Sequence, residues 1–252
     1  MRSTERDDGH NSVLGRAVAL LSAFHQDDEY VSLSELARRA GMPKPTAHRL
    51  SGQLIDLGML ETGSHGLRLG LRVFELGQLV PRQRGLRDAA RPHLENLYRT
   101  FGKTVHLAVL QGADVVYLDK LASRITPVAP SRIGGRMPAH ATALGKALLA
   151  HADPQVRDAV LASPLERRTP RTIVMRGLLA RELGRVRTEG IAREYEESAP
   201  GLVCVAHPVR DDSGRVIAAV SVSGRINRLR VDRVAPALRT AALTLARRYR
   251  SH

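Results

Sequence analysis

Residues 31–69 read VSLSELARRAGMPKPTAHRLSGQLIDLGMLETGSHGLRL, and this stretch decides the N-terminal fold. Ser32 and Glu35 have the spacing of a capping box. Leu33, Leu36, Ala37 and Ala40 then form an apolar stripe at helical spacing, and Gly41 ends the helix. Pro43 and Pro45 fit only the first turn of a following helix. Ala47, Leu50, Leu54, Ile55 and Leu57 mark its buried face, and Gly58 its end. Residues 59–70 read as two short strands around a Gly-Ser-His-Gly turn. Upstream, SVLGRAVALLSAF (12–24) sets Val13, Leu14, Ala17, Val18, Leu21 and Phe24 at helical spacing, with Asn11 or Ser12 as the cap. Three short helices and a two-stranded wing predict a winged helix-turn-helix over 11–70, its helix-turn-helix near 32–51. The charged residues 1–10, with no apolar core, are expected to form a disordered arm and not a secretory signal.

The chemistry of a major-groove helix asks for short polar and basic side chains on the exposed face near its N-terminus. Lys44, Thr46, His48 and Arg49 supply that face, while Ala47 and Leu50 point inward. His65 and Arg68 on the wing are placed to reach backbone or minor groove, and Ser34 and Pro45 complete the candidate DNA-contacting set. A plain helical hairpin with solvated charges is the bland alternative; the agreement of capping box, turn glycine and proline-led second helix argues against it.

The formal net charge of +14 points first to nucleic acid. Only four of the 39 cationic residues are lysine (Lys44, Lys103, Lys120 and Lys146), so arginine dominates, as a GC-rich genome alone can produce. Residues 1–84 carry 11 Lys/Arg against 10 Asp/Glu, whereas residues 85–252 carry 28 against 15. The segment assigned to DNA is therefore not the basic one, and the assignment rests on pattern. The single cysteine, Cys204, rules out an intramolecular disulfide or a cysteine-rich metal site. No run of about 18 uncharged apolar residues is present. A cytoplasmic protein without metal or cofactor is expected.

Residues 71–79 read as a connecting helix, and Pro81 to Gly85 as a hinge, giving a linker over 71–85. A helix from Leu86 to Phe101 opens the second domain, 86–252. TVHLAVL and VVYLDKL are strands around a Gly-Ala-Asp turn, ITPVAPS (125–131) is a further strand, and RIGGRMPAHA is a glycine-rich loop. TALGKALLA opens a helix, and two more lie near 154–162 and 176–189. REYEES, LVCVAHPV and RVIAAVSVSG read as strands, with DDSG turning between the last two, and 228–249 as an amphipathic terminal helix. Hairpins mixed with helices make the domain α+β.

Three features of this domain suggest a small-molecule pocket. A helix begins after the glycine pair, so the Ala143 and Leu144 N–H groups could hold an anion such as a ligand carboxylate. Ser221 and Ser223 alternate on an otherwise apolar strand and present two hydroxyls to one side. Cys204 lies on the strand paired with it through the DDSG turn. A few polar groups in an apolar setting are what a ligand site needs. Each has a bland reading too: cross-strand bonding for the serines, a small buried hydrophobe for the cysteine.

The segment LSELARRAGMPKPTAHRLSGQLIDLGMLE resembles the DNA-binding helix-turn-helix of the IclR family of bacterial regulators. RMPAHATALGKALLA is similar to that family's effector-loop segment, and GIAREYEESAPGLVCVAHPVRDDSGRVIAAVSVSG to its C-terminal signature. The resemblance implies a two-domain α+β protein with a GAF/profilin-like α/β effector-binding domain. It implies a homodimer or dimer of dimers on a palindromic operator in double-stranded DNA, more often repressing than activating. It adds Glu194 as a pocket-lining position and Ala129, Met137 and Leu202 as apolar walls. Glu194 stands where the family pattern has Asp or Ser, and Arg210 where it has an aromatic residue or His.

The effector is expected to be a small organic or aromatic acid. Two other classes compete with this regulator. A cysteine enzyme would pair Cys204 with His207, but an odd spacing on a strand puts them on opposite faces. No Ser-His-Asp order, metal spacing or phosphate-cradling loop supports catalysis elsewhere. An architectural DNA-binding protein would lack the pocket.

Overall fold

A computed structural model describes residues 12–122 and 131–249. The chain divides into two compact units, one ending at Pro81 and the other starting at Arg82.

The first unit contains α1 (Val13–Ser22), α2 (Leu33–Arg39), α3 (Lys44–Asp56), β1 (Leu60–Gly63), β2 (Gly66–Leu69) and α4 (Leu71–Gln78). Ser12 caps α1 by accepting the Gly15 N–H at 3.0 Å. Ser32 caps α2 by accepting the Glu35 N–H at 3.2 Å. The expected capping box is only half built, because the Glu35 carboxylate is engaged by Arg38 and Arg39. Pro43 is the N-cap of α3 and Pro45 lies in its first turn, since neither has an N–H to lose. β1 and β2 pair antiparallel from Leu60↔Leu69 to Gly63↔Gly66, and Val31 bridges Leu67 on the other side of β2.

Leu20, Phe24, Leu36, Ala47, Leu50, Leu54, Leu60 and Leu67 close the core of this unit. One apolar stripe faces solvent, and one sequence expectation fails. Val13, Leu14 and Val18 of α1 face outward, Leu14 being 79% exposed, and Leu20 is the residue that α1 buries completely. Leu57, expected on the buried face, is exposed: α3 ends at Asp56, and Leu57 is its C-cap, with the left-handed Gly58 turning the chain after it. Periodicity marks an apolar stripe without saying what covers it.

The second unit contains α5 (Pro81–Phe101), β3 (Thr104–Gln111), β4 (Asp114–Leu121), β5 (Arg136–Pro138), a 3-10 turn at Ala139–Ala141, α6 (Ala143–Leu149), α7 (Pro154–Ala162), α8 (Arg176–Glu189), β6 (Ala192–Tyr195), β7 (Leu202–Arg210), β8 (Val216–Arg225) and α9 (Val231–Arg248). Residues 81–85, expected as a hinge, are the first turns of α5. The REYEES segment is a strand only to Tyr195; Glu196 then takes a left-handed φ of 59°, which ends the extended run. The Gly134–Gly135 pair does not lead straight into α6. It exchanges backbone hydrogen bonds with Tyr117, and β5 and the 3-10 turn intervene. Of the strand expected at 125–131, only Ser131 lies within the described residues.

The six strands form one sheet in the order β5-β4-β3-β8-β7-β6, all neighbours antiparallel. Each face is covered by helices. α5 and α9 lay Leu86, Leu94, Leu97, Val234, Leu238 and Leu245 against Val105, Val203, Val205, Val220 and Val222. On the opposite face α6, α7 and α8 bring Leu144, Leu148, Val160, Leu179 and Leu183 against Ala108, Tyr117, Cys204, Ala206 and Ala219. Small residues on this second face let α6 sit close to the sheet.

Every residue of α6 is buried. A Cβ on Gly145 would stand 2.0 Å from the Ala139 carbonyl oxygen, which is backbone and cannot move aside. Gly145→Ala is therefore expected to destabilise the chain by about 3 kcal/mol or more, read as a fall in urea midpoint at unchanged slope. A fragment starting at Pro81 keeps α5 and its seam, and is expected to melt cooperatively by circular dichroism without the first unit. A non-cooperative melt would refute that independence.

Candidate DNA-contacting face and effector cavity

On α3 the residues Lys44, Pro45, His48 and Arg49 are exposed, and Thr46 is half-buried beside the buried Ala47 and Leu50. Among the described residues, Lys44, His48 and Arg49 make no hydrogen bond or ion pair. The arginines of α2 contrast with them. Arg38 lies 2.7 Å from Glu35, and Arg39 lies 2.5 Å from Asp28 and 2.8 Å from Glu35. These contacts lower the carboxyl pKa of both acids, that of Glu35 to about 2, chiefly through the hydrogen bond from Arg38. The basic groups of α2 are thus neutralised internally, and those at the start of α3 are not. Pro43 gives no side-chain cap, so the first-turn N–H groups of α3 also face outward. Ser34 is exposed on α2.

The wing holds its basic residue differently. Arg68 pairs with Glu61 at 2.7 Å, donates to the Tyr30 hydroxyl at 3.2 Å, and lies 5.6 Å from the centre of the Tyr30 ring. His65 is exposed at the tip of the turn, edge-on to the same ring.

In the second unit, β3, β4, β7 and β8 and the start of α6 enclose a cavity. It is lined by His106, Tyr117, Ser131, Thr142, Leu144, Glu194, Ser198, Leu202, Cys204 and Ser223. Strand register brings the sheet residues together: Cys204 pairs with both Glu194 and Ser223, and His106 with Ser221. Ser221 shares this face but is fully buried, its Oγ 3.4 Å from His106 Nδ1. The other His106 nitrogen lies 2.8 Å from Ser131 Oγ. Burial, with the nearby Lys120 ammonium, pulls the His106 pKa down to about 3, so the ring is neutral. Ser223 Oγ is buried and has no hydrogen-bond partner among the described residues.

Glu194 organises this site. Its Oε1 accepts from both the N–H and the hydroxyl of Ser198, the former at 2.8 Å. Its Oε2 lies 3.4 Å from the Ala143 N–H, while Thr142 Oγ1 caps the helix by accepting the Gly145 N–H at 2.9 Å. The helix start expected to hold a ligand carboxylate is thus occupied by a carboxylate of the chain itself. Burial pushes the Glu194 pKa up to about 7, against the Ser198 hydrogen bonds that favour the charged form. The neighbouring loop is tied down from below. Lys146, 1% exposed, lies 2.6 Å from Glu197 and 3.4 Å from Glu182. Thr169 and Thr172 donate to the carbonyls of Glu196 and Glu197 at 2.6 and 2.7 Å.

The cavity measures about 20 Å³, room for a single water-sized group. Met137 is buried in the core next to it, and Ala129 lies outside the described residues. Sequence reasoning missed His106, Tyr117, Ser131, Thr142 and Ser198. Only Thr142 carried a readable signal, a threonine one residue before an apolar helix.

Catalytic chemistry has no support here. Burial, with the Glu194 charge nearby, pushes the Cys204 thiol well above its ordinary range, so it holds its proton. His207 points to the other side of β7, its Nδ1 2.8 Å from the Pro208 carbonyl. Among the described residues, no cluster of His, Cys, Asp and Glu could hold a metal, and no helix is long and apolar enough to cross a membrane.

A winged helix-turn-helix with an unengaged basic helix face, followed by an α+β domain enclosing a polar cavity, defines the class of ligand-responsive DNA-binding proteins. The comparisons agree. The IclR helix-turn-helix domain matches residues 13–64, and the C-terminal domain of the bacterial transcriptional regulator IclR matches residues 78–247. The chain belongs to the IclR family of bacterial transcriptional regulators, DNA-binding proteins with an effector domain and not enzymes. It is 33% identical to the HTH-type transcriptional regulator XynR of Escherichia coli over 238 residues, covering 92% of this chain and 94% of that one. It is 33% identical to the transcriptional repressor IclR of Escherichia coli over 231 residues, covering 90% and 84%. A crystal structure of an IclR homologue from Microbacterium hydrocarbonoxydans, complexed with 4-hydroxybenzoate, matches with a TM-score of 0.86 and 34% identity, covering 94% and 98%.

Two substitutions separate the polar groups that hold this site from those that are spare. Ser223→Ala removes a hydroxyl without a partner and is expected to be neutral or slightly stabilising by urea denaturation. Thr142→Ala removes a helix cap and is expected to cost about 1 kcal/mol in the same measurement.

Proposed function

We propose that this protein is a cytoplasmic repressor that binds a palindromic operator as a homodimer or dimer of dimers and is controlled by a small aromatic or other organic acid in the Glu194 cavity. The observation that carries the reading is a buried carboxylate at a helix start, beside a buried hydroxyl with no partner. Such a site is stable when closed and gains hydrogen bonds when a ligand replaces an internal contact. The 4-hydroxybenzoate bound by the Microbacterium homologue supports the ligand class. The name of the Escherichia coli repressor supports the sign of regulation.

A cavity of about 20 Å³ is too small for an aromatic acid, so the ligand enters by displacing its lining. The incoming carboxylate takes the Ala143 N–H now facing Glu194, Ser221 and Ser223 donate from the sheet, and Met137, Leu144, Leu202 and Cys204 surround the apolar part. A second carboxylate next to Glu194 is tolerated once Glu194 is protonated. Because its pKa is raised to about 7, the neutral form gains as pH falls through that value. Binding of 4-hydroxybenzoate to the full chain is therefore expected to tighten from about pH 8 to about pH 6, with proton uptake in calorimetry. Glu194→Gln should flatten this dependence. Pocket binding that weakens as pH falls, or a Ser221→Ala/Ser223→Ala variant that binds as tightly as wild type, would overturn the site.

Self-association is supported by the apolar side chains that the first unit leaves exposed. Val13, Leu14 and Val18 on α1 and Leu71, Phe74, Leu79 and Val80 on or beside α4 are exposed, with no cover among its described residues. A symmetric dimer would bury them and present two α3 helices to half-sites about 10 base pairs apart, or a multiple of this. Leu14→Glu with Phe74→Glu is expected to give monomers by sedimentation and to abolish operator binding. Arg49→Ala should cost about 1–3 kcal/mol on the operator if Arg49 contacts a guanine bidentately. Lys44→Ala should weaken all duplexes alike and flatten the salt dependence. Loss on random DNA alone for Arg49→Ala would contradict its role.

A further inference from the structure

The effector domain contains a second cavity, at the other end of α6. Leu86, Val109, Leu110, Leu148, Val216 and Ile217 form its apolar wall, and Arg82, Gln83, His151 and Ala152 its polar side. It measures about 180 Å³, against about 20 Å³ for the Glu194 cavity. An apolar cavity of about 150 Å³ accepts a benzene ring, so this one has the size of a single ring. Among the described residues, none lines both cavities.

Its polar side points to a particular chemistry. Gln83 Oε1 is shut off from solvent and has no hydrogen-bond partner among the described residues. A buried acceptor without a donor is costly. A carboxylate cannot relieve it, having only acceptors. A hydroxyl can, and it can serve either end of the amide, since it both donates and accepts. Burial and the guanidinium of Arg210, 3.3 Å from the ring nitrogens, pull the His151 pKa to about 4, so the imidazole is neutral near pH 7 and Arg82 is the charged group on this side.

We propose that this cavity is a second ligand site, distinct from the Glu194 cavity, which takes a single-ring phenol with its ring on Leu86, Val109, Leu148 and Ile217 and its hydroxyl on Gln83 Oε1. The site reaches both ends of the regulatory path. Leu148 follows Leu144 of the effector cavity along α6, and His151 lies just past its C-cap, so a ligand at one end bears on the helix that lines the other. Arg82, Gln83 and Leu86 belong to the first turns of α5, which follows α4 after only Leu79 and Val80. Occupancy braces the helix that begins where the linker ends.

The test uses the full-length protein and phenol itself as the probe, followed by calorimetry and by methyl NMR. Saturable binding is expected at a Kd in about the millimolar range or tighter, with shifts at the Val109 and Ile217 methyls. Gln83→Leu should weaken it about tenfold. Ala152→Phe, which fills the cavity from its half-exposed rim, should abolish it, with circular dichroism confirming the fold. Ser223→Ala and Glu194→Gln should leave phenol binding unchanged. The proposal fails if phenol does not bind, if its shifts fall only around Met137 and Leu144, or if binding survives both Gln83→Leu and Ala152→Phe. None of these outcomes touches the acid-binding reading of the Glu194 cavity, which has its own probe and pH signature.

Discussion

A seven-residue helix with no solvent-facing side imposes the main constraint on this protein. Every side chain of α6 is buried, so each polar group at its ends and along its length must find a partner inside the domain. Thr142 takes one N–H at the start and Glu194 another; Lys146 reaches Glu197 and Glu182. Gly145 allows the backbone to lie against Ala139. The sheet meets this helix with alanines and a cysteine because larger residues would hold it away. Remove the polar partners and the helix has no reason to remain where the cavity needs it.

The same constraint explains how a binding site can exist without a large pre-formed pocket. Satisfying the helix start with Glu194 closes the cavity around an internal carboxylate. The cost of keeping that carboxylate in a dry place appears in its raised pKa. On the proposed reading, a ligand acid would offer the helix the same charge from a different source, so that binding would exchange one carboxylate for another, coupled to a proton. On that reading, such an exchange would give the effector a differential contact between two states, as any allosteric effector requires.

In the DNA-binding unit the logic is one of engaged and unengaged charge. Arg38 and Arg39 spend their guanidinium groups on Glu35 and Asp28 and fix the packing of α2. Among the described residues, Lys44, His48 and Arg49 have no such partners, and they stand next to the buried Ala47 and Leu50, which fix the roll of α3. The near-neutral charge of this part of the chain therefore conceals a strongly asymmetric distribution. The apolar residues exposed on α1 and near α4 are likewise uncovered among the described residues.

The local code was legible in the sequence wherever neighbours in the chain decide the outcome. Ser12 and Ser32 as caps, Pro45 in a first turn, the Gly-Ser-His-Gly wing turn and the strand alternation that separates Cys204 from His207 are all short-range, and the chain alone determines them. So is the exposed face of α3. What only the tertiary structure decided is contact across distance. Nothing near Glu194 in sequence indicates that its carboxylate meets Ala143, 51 residues earlier, and occupies the place expected for a ligand. Nothing near His106 announces Ser131 and Ser221 as its partners. The same limit left undecided that Val13, Leu14 and Val18 face outward, and made residues 81–85 look like a hinge when they begin a helix. Periodicity specifies that a face is apolar, and strand register and helix placement specify what meets it. Those depend on the packing of segments far apart in the chain, which no local pattern encodes.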